Sequence, residues 1–112
     1  MINITVIKRN NKIITIEATG HSGYAESGND IVCAAVSTLT QALINGLIEV
    51  VKISPNYTID EDIPHLSVTL PKDLQDEESK YAQVLMNSTC LALKDIADSY
   101  SKFIKIKEKQ ND

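Results

Sequence analysis

Aromatic residues are scarce in this chain: four Tyr, one Phe and no Trp among 112 residues. A binder of single-stranded nucleic acid needs aromatic platforms for base stacking, so this composition argues against one. An excess of positive charge is missing too. Fifteen acidic residues against eleven basic ones leave a net charge of −4, whereas nucleic-acid binders carry a basic patch or stripe. The nearest approach to one is Lys102, Lys105, Lys107 and Lys109, and Glu108 interrupts it. Cysteine is limited to Cys33 and Cys90. With no secretory pattern at the start, the chain is expected in the cytoplasm with both thiols reduced. Uninterrupted apolar runs stay short of the about 18 residues of a membrane span, so no membrane contact is expected.

What remains is an ordinary globular composition, 43% hydrophobic and 23% charged. The length suits one domain covering residues 1–112, with a core built from Ile, Leu, Val and Ala. Ile2, Ile4 and Val6 alternate with other residues, which predicts a strand over residues 2–8. Arg9-Asn10-Asn11 reads as a turn into a second β-rich run over 12–18, so the two runs make a hairpin. Val32, Val36, Leu39, Leu43, Leu47 and Val50 recur at helical spacing and predict a helix over 30–52. Asn29 or Asp30 is its N-cap, and Pro55 marks its far boundary. A second hairpin is expected from 56–60 and 65–70, around Asp60-Glu61-Asp62 and Pro64. A second helix over 76–100 has Tyr81, Leu85, Met86, Ala92, Leu93 and Ile96 on its apolar face, with Val84 and Leu91 on another side. Residues 102–107 suit a last short strand.

The order ββαββα(β) predicts an α+β domain with two helices packed on one face of a mixed, largely antiparallel sheet. The opposite sheet face then needs polar residues or a second copy of the chain.

Three of the four glycines, Gly20, Gly23 and Gly28, fall within residues 19–29. A joint between a strand and a helix takes only a few residues, so this concentration asks for another explanation. His21 opens the stretch, and Cys33 follows in the first turns of the helix. A thiol at a helix N-terminus feels the positive end of the dipole, which favours thiolate. A nearby imidazole can take its proton. The first-turn N–H groups lack intrahelical partners and can receive an oxyanion. On the residues alone, two readings stand for each group: Cys33 as nucleophile or as helix filler, His21 as base or as a loop residue. Asp30 either orients His21 or caps the helix. Ser37, one turn after Cys33, lines the site or bonds back to the helix. Cys90 reads as filler. A zinc set of His21, Cys33, His65 and Cys90 lacks the close ligand spacing of zinc motifs, so no metal is expected. No Gly-Lys-Ser/Thr phosphate loop is present.

The run Gly20-His21-Ser22-Gly23-Tyr24-Ala25-Glu26-Ser27-Gly28-Asn29-Asp30-Ile31-Val32-Cys33-Ala34-Ala35-Val36-Ser37 resembles the signature of the ribosomal-processing cysteine proteases, the Prp family. That signature reads Gly-His-x-Gly-Tyr-Ala, a variable stretch, then Asp-Ile-Val-Cys-Ala-Ala-Val-Ser. The resemblance extends over residues 1 to about 107 in length and element order. It implies a cysteine endopeptidase of Firmicutes and related bacteria that needs no cofactor. Its substrate would be the precursor of large-subunit ribosomal protein twenty-seven, whose short N-terminal extension is cut after a pair of aromatic residues. It also implies a homodimer with a mobile glycine-rich loop over the site. By the same resemblance His21 is the base and Cys33 the nucleophile, while Gly20, Gly23, Asp30 and Ser37 bind substrate or support the site. The competing expectation is a non-enzymatic dimeric module of ribosome assembly that grips a peptide without cutting it.

Overall fold

The structure is a computed structural model and describes residues 1–26, 30–60 and 64–111. Strand β1 (Ile2–Arg9) and β2 (Lys12–Thr19) form a hairpin, followed by α1 (Ile31–Asn45) with a π-helical end over Gly46–Val51. A second hairpin of β3 (Asn56–Asp60) and β4 (His65–Thr69) leads to α2 (Asp76–Ser99) and then β5 (Ile104–Gln110). The five strands make one sheet in the order β3-β4-β2-β1-β5. β5 runs parallel to β1, and the other pairings are antiparallel. The α+β architecture expected from the sequence is the one observed, and the final strand exists.

Local chemistry explains these elements. Asn10 and Asn11 both adopt positive φ, 52° and 64°, as a two-residue hairpin turn of matching twist requires. The register slips between Ile7 and Lys8, where Lys8 pairs with Ile13 and Ile7 with Thr15. This bulge leaves Ile14 over and puts both Ile13 and Ile16 in the core although they are three residues apart. α2 begins with a capping box, Gln75 with Glu78, and carries Asp76, Glu77 and Glu78 in its first turn, where the dipole favours acids. α1 ends where Lys52 turns left-handed (φ 67°). A Cβ on Gly46 would sit 3.1 Å from Leu85 Cδ1, so α2 packs tightly against the widened turn at this glycine.

Ile2, Ile4 and Val6 of β1, Ile13, Ile16 and Ala18 of β2, Val68 of β4 and Ile104 of β5 face the helices. Val32, Val36, Leu43, Ile44 and Leu47 meet them from the first helix, and Ala82, Met86, Cys90, Leu93 and Ala97 from the second. The buried Thr40 hydroxyl is satisfied by Val36 O at 2.8 Å. The other sheet face carries Thr5, Thr15, Glu17, His65, Ser67 and Thr69, with the Thr15 and Thr69 hydroxyls 2.9 Å apart. Ile7, opposite Thr15, is the apolar residue among these mostly polar side chains.

Two expectations change. Val50 is 78% exposed rather than core, because the π-helical turn shifts the residue angle and rotates it off the buried stripe. Tyr81 is exposed, and its hydroxyl donates to Glu77 Oε1 at 3.2 Å. The helical stretch Ile31–Val51, 21 residues, is long and apolar enough to cross a membrane by length and composition. Scattered Ser, Thr, Gln and Asn residues hide this from a search for uninterrupted apolar runs. Asn29 and the turn residues Glu61 and Asp62 lie outside the described residues.

Gln83 of α2 clamps the bulge, accepting from Ile13 N–H at 3.0 Å and donating to Ile13 O at 2.7 Å. Gln83→Ala is expected to lower the unfolding free energy by about 1–3 kcal/mol, because it leaves two part-buried backbone groups unpaired. Urea denaturation checks this.

Candidate active site

The strand β2 ends at Thr19, and Gly20 follows with φ +90°. A Cβ there would lie 2.5 Å from Met1 O, so only glycine fits this close passage without displacement. The Gly20 N–H donates to Pro64 O at 3.0 Å, joining the loop to the second hairpin. Gly23 also takes a positive φ, +74°, but in open space. Between the two glycines stand exposed His21 and Ser22, which is only 3% exposed.

Asp30 organises the other end. Its Oδ1 accepts from Val32 N–H at 3.1 Å and Cys33 N–H at 2.9 Å, a full N-cap for α1. Its Oδ2 accepts from the Ser22 hydroxyl. Ser22 Oγ in turn accepts from Tyr24 N–H at 3.0 Å, and Ser22 N–H donates to Cys33 Sγ at 3.4 Å. Burial of the Asp30 carboxylate favours its neutral form. Hydrogen bonds from Ser22, from the Cys33 N–H and thiol and from the Val32 N–H outweigh that and hold its pKa below the ordinary aspartate value. Asp30 therefore caps the helix; its hydrogen bonds go to Ser22, Val32 and Cys33 rather than to the imidazole of His21.

His21 and Cys33 line one cavity of about 570 Å³, with Gly20, Gly23, Asp30 and Ser37 also on its wall. All six residues singled out from the sequence thus meet at one place. Among the described residues no hydrogen bond joins the His21 ring to Cys33. Catalytic hydrogen bonds are often loose without substrate and tighten in the complex. The N–H groups of Val32 and Cys33 are taken by Asp30, and that of Ala34 by Asp30 O at 3.1 Å. The start of the helix is thus not the open set of oxyanion donors expected from the sequence.

The sequence reading missed three contributors. Ser22 looked like a variable position, yet it bridges the loop to the helix cap. Gln41 continues the cavity wall along α1 past Ser37. Ile59, Asp60, Pro64 and Leu66 bring the second hairpin to the site; no local signal in residues 56–70 announces this, because sheet order decides it. His21, Cys33, His65 and Cys90 do not come together as one ligand set. Cys90 is a buried core residue of α2, and burial pushes its thiol pKa up. His65 also lines the cavity, but its ring is engaged with Glu17 Oε2 at 2.8 Å. Among the described residues no group of His, Cys, Asp or Glu could hold a metal ion.

A thiol at the head of a capped helix, sharing a cavity with an imidazole on a glycine-rich loop, is the equipment of a thiol hydrolase. The family described as Cysteine protease Prp matches residues 1–105, and the chain belongs to it. This decides for a protease over a module that only grips peptides. A ribosomal processing cysteine protease Prp of Bacillus subtilis is 30% identical over 107 residues, covering 95% of this chain and 96% of that protein. One of Mycoplasma pneumoniae is 31% identical over 87% of this chain and 89% of the relative. The crystal structure of a Streptococcus mutans protein, 31% identical, superposes with a TM-score of 0.86 over 99% of this chain and 96% of that one. The Staphylococcus aureus Prp, 24% identical and bearing a covalently linked product peptide, shares the fold with a TM-score of 0.86, covering 97% of this chain and all of that one.

A lowered carboxyl pKa in the folded state means the unfolded chain binds more protons in that window, so stability rises with pH there. The Asp30 contribution is expected in full above the unfolded aspartate value of about 3.9 and lost as pH falls through the lower folded value. Asp30→Ala should cost about 1 kcal/mol at neutral pH, as for a lost N-cap. The gap between wild type and Asp30→Ala should narrow below that value in acid titrations followed by circular dichroism.

Proposed function

We propose that this protease removes the N-terminal extension of large-subunit ribosomal protein twenty-seven, cutting after a pair of aromatic residues, with Cys33 as nucleophile and His21 as general base. The observation that carries the reading is the shared cavity of His21 and Cys33 at the head of α1. The names of the Bacillus subtilis and Mycoplasma pneumoniae relatives, ribosomal processing cysteine proteases, support the substrate class. The net charge of −4 suits a basic ribosomal partner, with association that weakens as salt rises.

In this mechanism His21 takes the thiol proton and Cys33 Sγ attacks the carbonyl carbon of the second aromatic residue. The C=O electron pair moves to oxygen, and the tetrahedral oxyanion needs a donor. With the Val32 and Cys33 N–H groups committed to Asp30, that donor is Ser22 N–H, already 3.4 Å from Sγ. His21 then protonates the leaving amine as the C–N bond breaks. A water, deprotonated by His21, hydrolyses the thioester and restores the thiol. Asp30 and Ser22 hold the two reacting segments together. Gly20 and Gly23 let the chain fold back over the cavity, and Ser37 lies on the wall one turn beyond the nucleophile.

The reading also makes the protein a cytoplasmic homodimer. Val84, Leu91 and Tyr81 along α2 are all more than half exposed, and Val50 beyond α1 adds to the apolar surface on the helical side. A second copy would cover this surface. Light scattering at micromolar concentration is expected to report the mass of two chains, and the mass of one would overturn the dimer.

The direct test is incubation with a synthetic peptide spanning the extension, read by mass spectrometry. One cut, after the aromatic pair, is expected. Cys33→Ala should give no product, and His21→Ala should lower kcat by about 100- to 10,000-fold. Cleavage by Cys33→Ala would end the assignment.

A further inference from the structure

Three of the five aromatic residues of the chain meet beside the active-site loop. Tyr24 sets its ring edge-on to Tyr100, with centroids 5.8 Å apart and planes at 83°, and to Phe103, at 5.2 Å and 73°. The platform beneath it is fixed. Tyr100 ends α2 with its N–H on Ile96 O at 2.9 Å. Phe103 N–H donates to Tyr100 O at 2.8 Å, and Phe103 O accepts from Ile2 N–H of β1 at 2.9 Å. Both platform rings are partly buried against the core. Tyr24 itself is 41% exposed, so the core does not require it.

The loop around His21 is pinned on either side. Gly20 N–H is held by Pro64 O, and Ser22 by Asp30, with its N–H on the thiol. The Tyr24 N–H bonded to Ser22 Oγ extends the second pin to the aromatic platform. We propose that Tyr24 is a positioning residue for the reaction: its ring, docked on Tyr100 and Phe103, holds residues 20–24 so that His21 and the Ser22 N–H meet Cys33. The reading of His21 as base underlies this role. Two edge-to-face contacts are enough to shift a loop equilibrium by about tenfold, which sets the size of the effect.

The test uses the full chain and the peptide substrate, with kcat and KM measured separately and amide hydrogen exchange followed at residues 20–24. Tyr24→Ala is expected to lower kcat about tenfold with KM within about twofold, an unchanged Tm and faster exchange in that segment. Tyr24→Phe, which keeps the ring, should behave as wild type. Phe103→Leu should reproduce the loss, and the double variant should add little to it. Wild-type kcat in Tyr24→Ala would overturn the proposal. So would a raised KM alone, which marks a substrate contact, or a Tyr24→Phe as impaired as Tyr24→Ala. His21→Ala is run alongside: full cleavage there overturns the base assignment, and exchange at residues 20–24 then decides the anchor independently of activity.

Discussion

The Asp30 carboxylate divides its two oxygens between two jobs. One receives the N–H groups of Val32 and Cys33 that a helix start leaves without partners. The other receives the hydroxyl of Ser22, eight residues earlier. Hydrogen bonds to an ionised acceptor are among the stronger ones available to a protein, and the bonds converging here keep the carboxylate ionised. The consequence is geometric. The first turn of α1, which sets Cys33, and the loop after β2, which sets His21, are tied to one group.

That tie would be of little use on a soft platform. α1 is held against the sheet by Val32, Val36, Leu43, Ile44 and Leu47, all buried, and a close-packed, largely aliphatic core of this kind holds its side chains in rotamer minima. β5 adds a second constraint. By pairing with β1 it brings the end of α2 and Phe103 back beside the loop, so the C-terminal strand is connected to the site without lining its cavity. The two cysteines show what position does to one residue type. Cys33 sits at a capped helix end on a cavity, while Cys90 is closed inside the core with a raised pKa.

The surface divides the same way. The outer sheet face is mostly polar, with hydroxyls and the Glu17–His65 pair. The apolar excess is on the helices, at Val50, Tyr81, Val84 and Leu91. An apolar stretch of 21 residues in a chain with few aromatics has its origin here: α1 is core on one side and apolar on much of the rest.

Local pattern was enough to read most elements. The alternation of Ile2, Ile4 and Val6, the Asn10-Asn11 turn and the acidic start of α2 act within a few residues of themselves, and each was legible from sequence. The signature from Gly20 to Ser37 was legible for the same reason, since its residues are neighbours in the chain and carry the family likeness. Tertiary contacts decided the rest. That the β3–β4 hairpin walled the cavity and that Tyr24 found Tyr100 and Phe103 depend on segments up to about eighty residues apart being brought together by a sheet order that no local preference encodes. The chemistry was written locally, because helix caps, glycine turns and the thiol act at short range. Its alignment is a property of the packed core, because only burial of the shared aliphatic face holds distant segments at fixed distances.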